Sequence, residues 1–265
     1  MTVTVGSPIR LVVSGARGRL GSQIARRAAA SDRFVLHQAL VRSDSPGVGA
    51  DVEGVTCSST YVPEPNTVLV EAATPVAALD HGARAAEAGV PILLATTGFR
   101  SENQQVIDGW SRSTAVCVAP NLSVGVNLML DLVARAAAAL PDYDLEILEL
   151  HHRRKKDAPS GTAWALAEAA ADGRGWDDLG RRVIHARAGE VGARSNEEVG
   201  IMAIRGGDII GEHTVFFVGE TERIELTHRA ATRDAFAHGA LVASAFLAAQ
   251  TSPGRYSMRQ VLGLT

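Results

Sequence analysis

The chain has little cysteine, almost no lysine and no large excess of charge. Its two cysteines, Cys57 and Cys117, are too few for a disulfide framework, and neither has a partner at metal-ligand spacing. We therefore expect two reduced thiols, no metal site and a reducing, cytoplasmic location. A formal net charge of -3 over 265 residues argues against a nucleic-acid partner held mainly by phosphate contacts, because such proteins carry clustered basic residues.

Membrane-spanning and export segments are lacking as well. No stretch reaches the roughly 18 consecutive apolar residues that indicate a bilayer-spanning helix. The amino-terminal sequence MTVTVGSPIRLVVSG has no charged start followed by a continuous apolar run and a small-residue cleavage site. We expect neither a membrane partner nor an export signal.

Strands and helices alternate through the first half of the chain. Short apolar runs, the first at Ile9–Gly15 and the last at Ala115–Val118, are separated by segments rich in small, helix-compatible residues. This alternation implies crossover connections and a mostly parallel sheet covered on both faces. The sequence thus predicts an α/β domain over residues 1–122.

The pattern changes in the second half of the chain. The stretch 123–233 combines Ala-rich helices with hairpin signals, which predicts an α+β domain on a mixed or antiparallel sheet. We expect residues 198–205 and 209–218 to pair as a hairpin around Gly206-Gly207-Asp208. The last segment, 234–265, begins as an Ala-rich helix without a hairpin partner. We expect it to pack back on the first domain.

A glycine turn lies between the first strand and the first helix, in the string SGARGRLG. Gly15, Gly18 and Gly21 would let the backbone approach a pyrophosphate, and the helix N-terminus would offer it unpaired N–H groups and positive dipole. The adjacent Arg17 and Arg19 would add positive charge. The spacing is GxxGxxG rather than the commoner GxGxxG, and a plain tight turn is the alternative. In its strand-turn-helix context the pattern favours dinucleotide binding.

The residues after the second strand bear on which dinucleotide is bound. A 2′-phosphate favours arginine there, whereas a free ribose 2′-hydroxyl favours an acidic residue. The sequence reads Val41-Arg42-Ser43-Asp44, so Arg42 favours NADPH while Asp44 keeps NADH open. A solvated loop arginine is the alternative interpretation of Arg42.

The string HHRRKKDAPSGTA at 151–163 holds both lysines of a chain that has twenty-four arginines. Histidine titrates near neutral pH, and lysine can lose its proton when desolvated, which arginine effectively cannot. His151, His152 and Lys155 are therefore candidates for proton transfer. If the preceding strand continues here, the two histidines point to opposite faces, and at most one is the donor. A solvated charged run, a metal-binding pair and a phosphate patch are the alternatives.

The same string continues into a possible anion site. Ser160, Gly161 and Thr162 precede an Ala-rich helix and occupy the positions where helix N–H groups are unpaired. A carboxylate or a phosphate would bind there. Joined to the histidines and Lys155, this arrangement favours catalysis on a small anionic substrate.

These segments resemble the 4-hydroxy-tetrahydrodipicolinate reductase family, formerly called dihydrodipicolinate reductases. The string HHRRKKDAPSGTA is closely similar to the family's signature. Further similar segments follow in the family's order along nearly the whole chain: SGARGRLG, TTGF, APNLSVGVN, RGGDIIGEHTVFF, THRAATRDAFAHGAL and YSMRQVLGL. The resemblance implies a Rossmann-like cofactor domain, an α+β substrate and assembly domain, and usually a homotetramer.

The resemblance also implies an activity and a set of residue roles. Family members use NADH or NADPH to reduce a cyclic imine with two carboxylates, giving tetrahydrodipicolinate in lysine and diaminopimelate biosynthesis. By this resemblance His151 is the general acid and Lys155 the second proton donor. The expected substrate ligands are His152, Lys155, Ser160, Gly161 and Thr162. The expected cofactor ligands are Gly15, Gly18, Arg19, Leu20, Gly21, Thr96, Thr97, Ala119 and Asn121, to which the position after the second strand adds Arg42.

The chain departs from the family pattern on the cofactor side. Glu71-Ala72-Ala73 stands where the family usually has Asp-Phe-Thr or Asp-Phe-Ser, so an aromatic residue is missing near the cofactor. Ala95 replaces a glycine before TTGF, and Val41 stands where an acidic residue often contacts the ribose. A paralogous reductase of another anionic cyclic imine, or a non-catalytic nucleotide-binding relative, is the alternative function.

Overall fold

The computed structural model describes residues 7–264 of the chain. Residues 1–6, on which the expectation of no export signal partly depends, lie outside the described residues. None of the helices described between residues 7 and 264 is both long and apolar enough to cross a membrane.

The described secondary structure alternates β and α in the first half and is strand-rich in the second. The strands are β1 Ile9–Ser14, β2 Phe34–Leu40, β3 Asp51–Val52, β4 Val55–Ser58, β5 Thr67–Glu71, β6 Ile92–Leu94, β7 Ala115–Val118, β8 Asp144–His151, β9 Val183–Ile184, β10 Val199–Arg205, β11 Glu212–Val218, β12 Arg223–Arg229 and β13 Gly254–Tyr256. The helices are α1 Gly21–Ala29, α2 Pro75–Glu87, α3 Ser101–Trp110, α4 Val124–Ala139, α5 Gly161–Arg174, α6 Leu179–Arg182, α7 Asp234–Ala248 and α8 Met258–Val261.

Two compact units make up the fold. The first contains the residues up to Val124 together with those from Asp234 onward, and the second contains Gly125–Arg233. Each unit has its own sheet and its own buried core.

The first unit is built on an eight-stranded sheet of order β13-β7-β6-β5-β1-β2-β4-β3. β1 pairs in parallel with β2 on one side and with β5 on the other. Every residue of β5 is buried, as expected for a central strand covered by helices on both faces. The chain order therefore reverses between β1 and β5, which is the place where open α/β sheets of this kind bind ligands at their carboxyl edge.

The C-terminal segment completes this unit. Helix α7 packs on α1, β5 and β6, with buried Ala237, Ala240 and Leu247 in the core. β13 then adds to the sheet edge in parallel with β7. β13 was not predicted from the sequence. A strand of three residues, Gly254–Tyr256, is too short to show an alternation of apolar and polar residues.

The second unit is built on a five-stranded sheet of order β12-β11-β8-β10-β9. Side chains alternate along β8 and β11 between buried and half-buried. The buried face packs on α4 and α5 through Met129, Val133, Leu166 and Ala170. The opposite face carries the half-buried residues of the same strands, which will be called the outer face.

The predicted hairpin between residues 198–205 and 209–218 is wrong. β8 lies between β10 and β11, parallel to β10 and antiparallel to β11. The predicted turn residues extend the pairing with the end of β8 instead: the Gly206 N–H donates to the His151 carbonyl at 2.9 Å, and the Arg153 N–H donates to the Gly207 carbonyl at 3.2 Å. The hairpin of this sheet joins β11 to β12.

Candidate active site

The glycine turn of the first unit is tightly closed. Gly15 has φ +75°, and a Cβ there would lie 2.8 Å from the Ala72 carbonyl oxygen. A Cβ on Gly21 would overlap the Gly15 carbonyl oxygen. The Gly18 N–H donates to that same oxygen at 2.7 Å. Only glycine fits Gly15 and Gly21 in this turn.

This turn meets the structural requirements of a dinucleotide cradle. It joins the end of β1 to α1, whose first turn has no side-chain cap, and it lies beside the reversal between β1 and β5. Arg19 is exposed in the turn and Leu20 is half-buried at its end. Backbone that approaches closely, together with an uncapped helix N-terminus, suits a pyrophosphate.

Other expected cofactor residues lie at the same edge of the sheet, because β6 and β7 run parallel to β5. The buried Thr96 donates its hydroxyl to the Glu71 carbonyl at 3.2 Å, and Thr97 beside it is exposed. Ala119 is buried, and the Asn121 side chain accepts from the Ser123 N–H at 2.9 Å. Arg42 is 70% exposed and lies 3.5 Å from Asp44.

The residues Glu71-Ala72-Ala73, where the chain departs from the family pattern, lie at the end of β5 and just after it. Glu71 is fully buried, and its Oε1 lies 2.6 Å from His81 Nδ1 on α2. The His81 ring packs edge-on against the buried Tyr61 at 5.5 Å between centroids. Glu71 thus binds inside the domain, and the small Ala72 supplies the backbone that contacts Gly15.

In the second unit, the end of β8 carries the first two members of a polar cluster. Alternation along the strand puts Glu149 and His151 on the buried face. His151 Nδ1 lies 2.5 Å from Glu149 Oε2. β8 ends at His151, and His152 follows as a half-buried residue whose Nδ1 is buried without a hydrogen-bond partner. The two histidines thus lie in different surroundings.

Glu149 is fully buried and accepts hydrogen bonds from two further elements. Arg205, the last residue of β10, donates to both carboxylate oxygens at 2.8 Å each. The Ser160 N–H donates to Oε1 at 3.0 Å. One carboxylate therefore joins β8, β10 and the start of α5.

Ser160 caps α5, and its Oγ accepts from the Ala163 N–H at 3.1 Å. The same Oγ lies 3.0 Å from His213 Nε2 on β11, and the His213 ring packs edge-on against His151 at 5.2 Å between centroids. Gly161 is exposed and Thr162 half-buried in the first turn of the helix. The expected carboxylate-binding turn thus lies directly beside the histidines.

Lys155 is held close to this cluster by the loop that carries it. Its backbone N–H donates to the His152 carbonyl at 3.1 Å, and its Nζ donates to Asp157 at 2.8 Å. Arg205 also donates to the Asp157 carbonyl, at 2.7 Å. The second lysine, Lys156, is exposed.

Burial and charge set the protonation of the cluster. The pKa of His151 lies below its usual value because burial outweighs the favourable hydrogen bond to Glu149. Burial raises the pKa of Glu149, but the hydrogen bonds from Arg205 and His151 outweigh it, so the net pKa is low. Burial lowers the pKa of His213 to about 4. At neutral pH the cluster thus holds an ionised Glu149 and an uncharged His213.

Glu149 and Arg205 were not predicted from the sequence, and His213 was given no role there. One signal was available for Glu149, because a glutamate two residues before His151 in LEILELH must lie on the same strand face. Arg205 could be found only from the parallel pairing of β10 with β8, which the sequence did not predict. Within residues 7–264, no cluster of three or more histidine, cysteine or acidic side chains could hold a metal ion.

A glycine turn suited to a dinucleotide in one unit, and a cluster of histidines beside a helix N-terminus in the other, fit a two-domain NAD(P)H-dependent oxidoreductase, and comparison with known proteins shows this class. Residues 9–122 match the N-terminal domain of dihydrodipicolinate reductases, and residues 125–262 match the C-terminal domain. The chain belongs to the dihydrodipicolinate reductase family, now called 4-hydroxy-tetrahydrodipicolinate reductases.

Similar proteins are consistent with this family. The 4-hydroxy-tetrahydrodipicolinate reductase of Rubrobacter xylanophilus is 44% identical over 96% of this chain and 98% of the relative. That of Nitrosomonas europaea is 41% identical over 97% and 99%. A dipicolinate-bound dihydrodipicolinate reductase from Paenisporosarcina sp. TG-14 has the same fold, with TM-score 0.74, 23% identity, and coverage of 94% of this chain and 97% of that one.

The low pKa of His213 predicts a specific loss of stability in acid. Its folded-state pKa of about 4 lies below the ordinary 6.5, so the unfolded chain binds the proton more tightly. Stability should fall as the pH drops from 6.5 to about 4, by on the order of 3 kcal/mol from this group. Urea unfolding of wild type and His213→Gln across this range should show the wild type losing more stability than the variant. If the free energy of unfolding of the two proteins changed equally with pH over this range, the low pKa of His213 would be contradicted.

Proposed function

We propose that the protein reduces 4-hydroxy-tetrahydrodipicolinate to tetrahydrodipicolinate with NADH or NADPH, in lysine and diaminopimelate biosynthesis. The observation that carries this proposal is the cluster of Glu149, His151, Lys155 and Ser160 at one end of the second sheet. It combines a proton donor with an anion-binding turn in a chain whose two halves both match the family.

The first unit serves as the dinucleotide-binding domain, corresponding to residues 1–122 with the returning segment 234–265. When bound, the reduced nicotinamide supplies the hydride. The proposed pyrophosphate ligands are Gly15, Gly18, Arg19, Leu20 and Gly21. Arg42 is proposed to lie at the adenosine ribose, where its exposed side chain is available to a 2′-phosphate. The proposed residues at the nicotinamide end are Thr96, Thr97, Ala119 and Asn121.

The second unit, residues 123–233, holds the substrate and moves the proton. Hydride addition to a conjugated imine leaves electron density that must take a proton, and His151 is proposed to donate it. Lys155 is the second proton-donating residue. Its side chain is 20% exposed, and its Nζ pairs with one acidic side chain, Asp157.

The substrate carries two carboxylates, and the start of α5 provides their proposed site. The Gly161 and Thr162 backbone at a helix N-terminus, with the Ser160 cap, suits an anion. His152 and Lys155 add polar and positive groups from the adjacent loop. The same turn is tied to His151 through Glu149, which would hold the carboxylates at a fixed distance from the proton donor.

The proposed assembly is a homotetramer formed through the outer face of the second sheet. This face carries apolar residues on three adjacent strands: Leu148 and Leu150 on β8, Met202 and Ile204 on β10, and Phe216 and Val218 on β11. Ile204 is 46% exposed. Met202 and Ile204 pair with Leu148 and Leu150, whereas Phe216 and Val218 pair with Glu146 and Asp144. The apolar patch on β8 and β10 favours burial against another copy of the chain.

The proposed location is the cytoplasm. The two cysteines are buried and unpaired, which supports a reducing compartment.

The activity can be tested in a coupled assay. A synthase generates 4-hydroxy-tetrahydrodipicolinate from pyruvate and aspartate semialdehyde, and the absorbance of NADPH or NADH is followed. We expect rapid oxidation by the wild type, and a loss on the order of a hundredfold or more in kcat for His151→Ala, since a general acid contributes about that much. Folded wild type that binds either cofactor without oxidising it would refute the proposed function.

The role of Lys155 predicts a split between binding and rate. Lys155→Arg keeps the positive charge and should keep substrate affinity, but the guanidinium is a poor proton donor. In the same assay kcat should fall by roughly tenfold or more while KM changes little. Lys156→Arg, a matched change at the exposed neighbour, serves as the control. A Lys155→Arg variant with wild-type kcat would show that Lys155 contributes only its positive charge and does not donate a proton.

The assembly is tested by charging the outer face. Ile204→Glu should lower the mass measured by light scattering from that of a tetramer, because a carboxylate on an apolar interface costs desolvation. Val76→Glu, at a 79% exposed valine on α2 of the first unit, should leave the mass unchanged. A monomeric wild type, or a tetrameric Ile204→Glu variant, would contradict the proposed interface.

A further inference from the structure

Glu149 is surrounded by hydrogen-bond donors, and this determines where the proton on His151 lies. Oε1 accepts from the Ser160 N–H at 3.0 Å and from Arg205 at 2.8 Å. Oε2 accepts from Arg205 at 2.8 Å and lies 2.5 Å from His151 Nδ1. A guanidinium and a backbone amide can only donate, so they hold the carboxylate ionised.

An ionised carboxylate requires a proton on the nitrogen that faces it. His151 Nδ1 must therefore carry hydrogen in both the neutral and the charged state of the ring, because a bare nitrogen at 2.5 Å from a carboxylate oxygen would place two lone pairs together. The remaining ring nitrogen, Nε2, is then the atom that gains and loses the proton.

The surroundings of Nε2 fit this assignment. Gly211 lies beside it, and a Cβ at that position would be only 3.0 Å from Nε2. The absence of a side chain at Gly211 leaves that nitrogen uncrowded. His213 packs on the ring edge-on rather than on Nε2 in a hydrogen bond, since its own Nε2 is directed to Ser160.

We propose that Glu149, clamped by Arg205, is a positioning residue that fixes the Nδ1–H tautomer of His151 and favours its charged form, so that Nε2 delivers the proton. The same carboxylate accepts the Ser160 N–H and so couples the proton donor to the substrate-binding turn. This inference rests on the proposed function, and it extends that function to two residues for which the resemblance gave no role.

The electrostatic balance around His151 gives the expected direction. Burial, Lys155 and Arg205 lower the pKa of His151, and Glu149 is the group that raises it. His213, the other titratable group against the ring, is uncharged at neutral pH. Removing the Glu149 charge should therefore lower the pKa of His151 further and leave less of the charged donor at neutral pH.

Glu149→Gln is the sharpest test, because an amide cannot satisfy the same four contacts. An NH2 group at the Oε1 position would face two donors, Ser160 N–H and Arg205, whereas at the Oε2 position it would face Arg205 alone and could donate to His151 Nδ1. The second orientation is therefore favoured. The variant should thus invert the tautomer to Nε2–H. We expect kcat to fall roughly tenfold or more, KM to change little, and the decline of kcat with rising pH to move to lower pH.

A matched control and a direct readout separate positioning from folding. Glu168→Gln removes the same charge from an exposed position on α5 and should leave rate and pH profile unchanged. Nitrogen-15 NMR of the imidazoles, with His151 assigned from its loss in His151→Ala, reports the tautomer in wild type and variant. If Glu149→Gln does not fold, Arg205→Lys is the second variant: it keeps the positive charge but cannot bind both oxygens at once, so it should loosen the carboxylate and admit the Nε2–H tautomer of His151 in the same spectra.

The outcomes distinguish this inference from the proposed function. Wild-type His151 in the Nε2–H tautomer at neutral pH would overturn the inference whether or not the enzyme is active. A folded Glu149→Gln variant with the wild-type pH profile and tautomer would also overturn it. A wild type inactive in the coupled assay, but with Nδ1–H on His151, would refute the proposed substrate and leave the positioning role supported.

Discussion

The buried ion pair between Glu149 and Arg205 is the interaction on which the second unit's site depends. It joins β8 to β10, and the Ser160 N–H brings the start of α5 to the same carboxylate. Removing one partner of a buried pair typically costs about 3–5 kcal/mol, since the other charge is left uncompensated. Two fully formed hydrogen bonds from one guanidinium also fix orientation, which a lysine could not do. The geometry of the proposed site and its local stability therefore depend on the same atoms.

In the first unit, the glycine turn offers backbone groups rather than side chains to a ligand. Gly15, Gly21 and Ala72 pack so closely that side chains at the two glycines would overlap carbonyl groups. After β5 the Ala72 backbone lies against Gly15, and Glu71 turns inward to His81; nothing in the structure explains the missing aromatic residue. The first unit thus stabilises its turn by close packing, and the second stabilises its cluster by charge.

Local patterns in the sequence predicted much of this molecule, and long-range pairings limited the rest. The strand-turn-helix around Gly15 and the helix start at Ser160 are encoded within a few residues, so they could be read directly. The strand beside β10 could not be predicted, because the two glycines after Arg205 suggest a hairpin. In the structure the backbone of these glycines instead forms hydrogen bonds at the end of β8. Because of this error, the contact between Arg205 and Glu149 was not predicted. That contact is the reason why the Glu149 carboxylate can be fully buried. His213 was visible in the sequence, but its contact with Ser160 required the position of β11.

The path of the chain has a consequence for how the protein is made. The second unit, Gly125–Arg233, is contiguous in sequence, whereas the first is completed only by α7 and by β13, which closes the sheet edge against β7. During synthesis on the ribosome, the second unit can fold while the first unit still lacks α7 and β13. Until residues 254–256 emerge, β7 presents an unpaired edge, the kind of surface through which nascent chains aggregate.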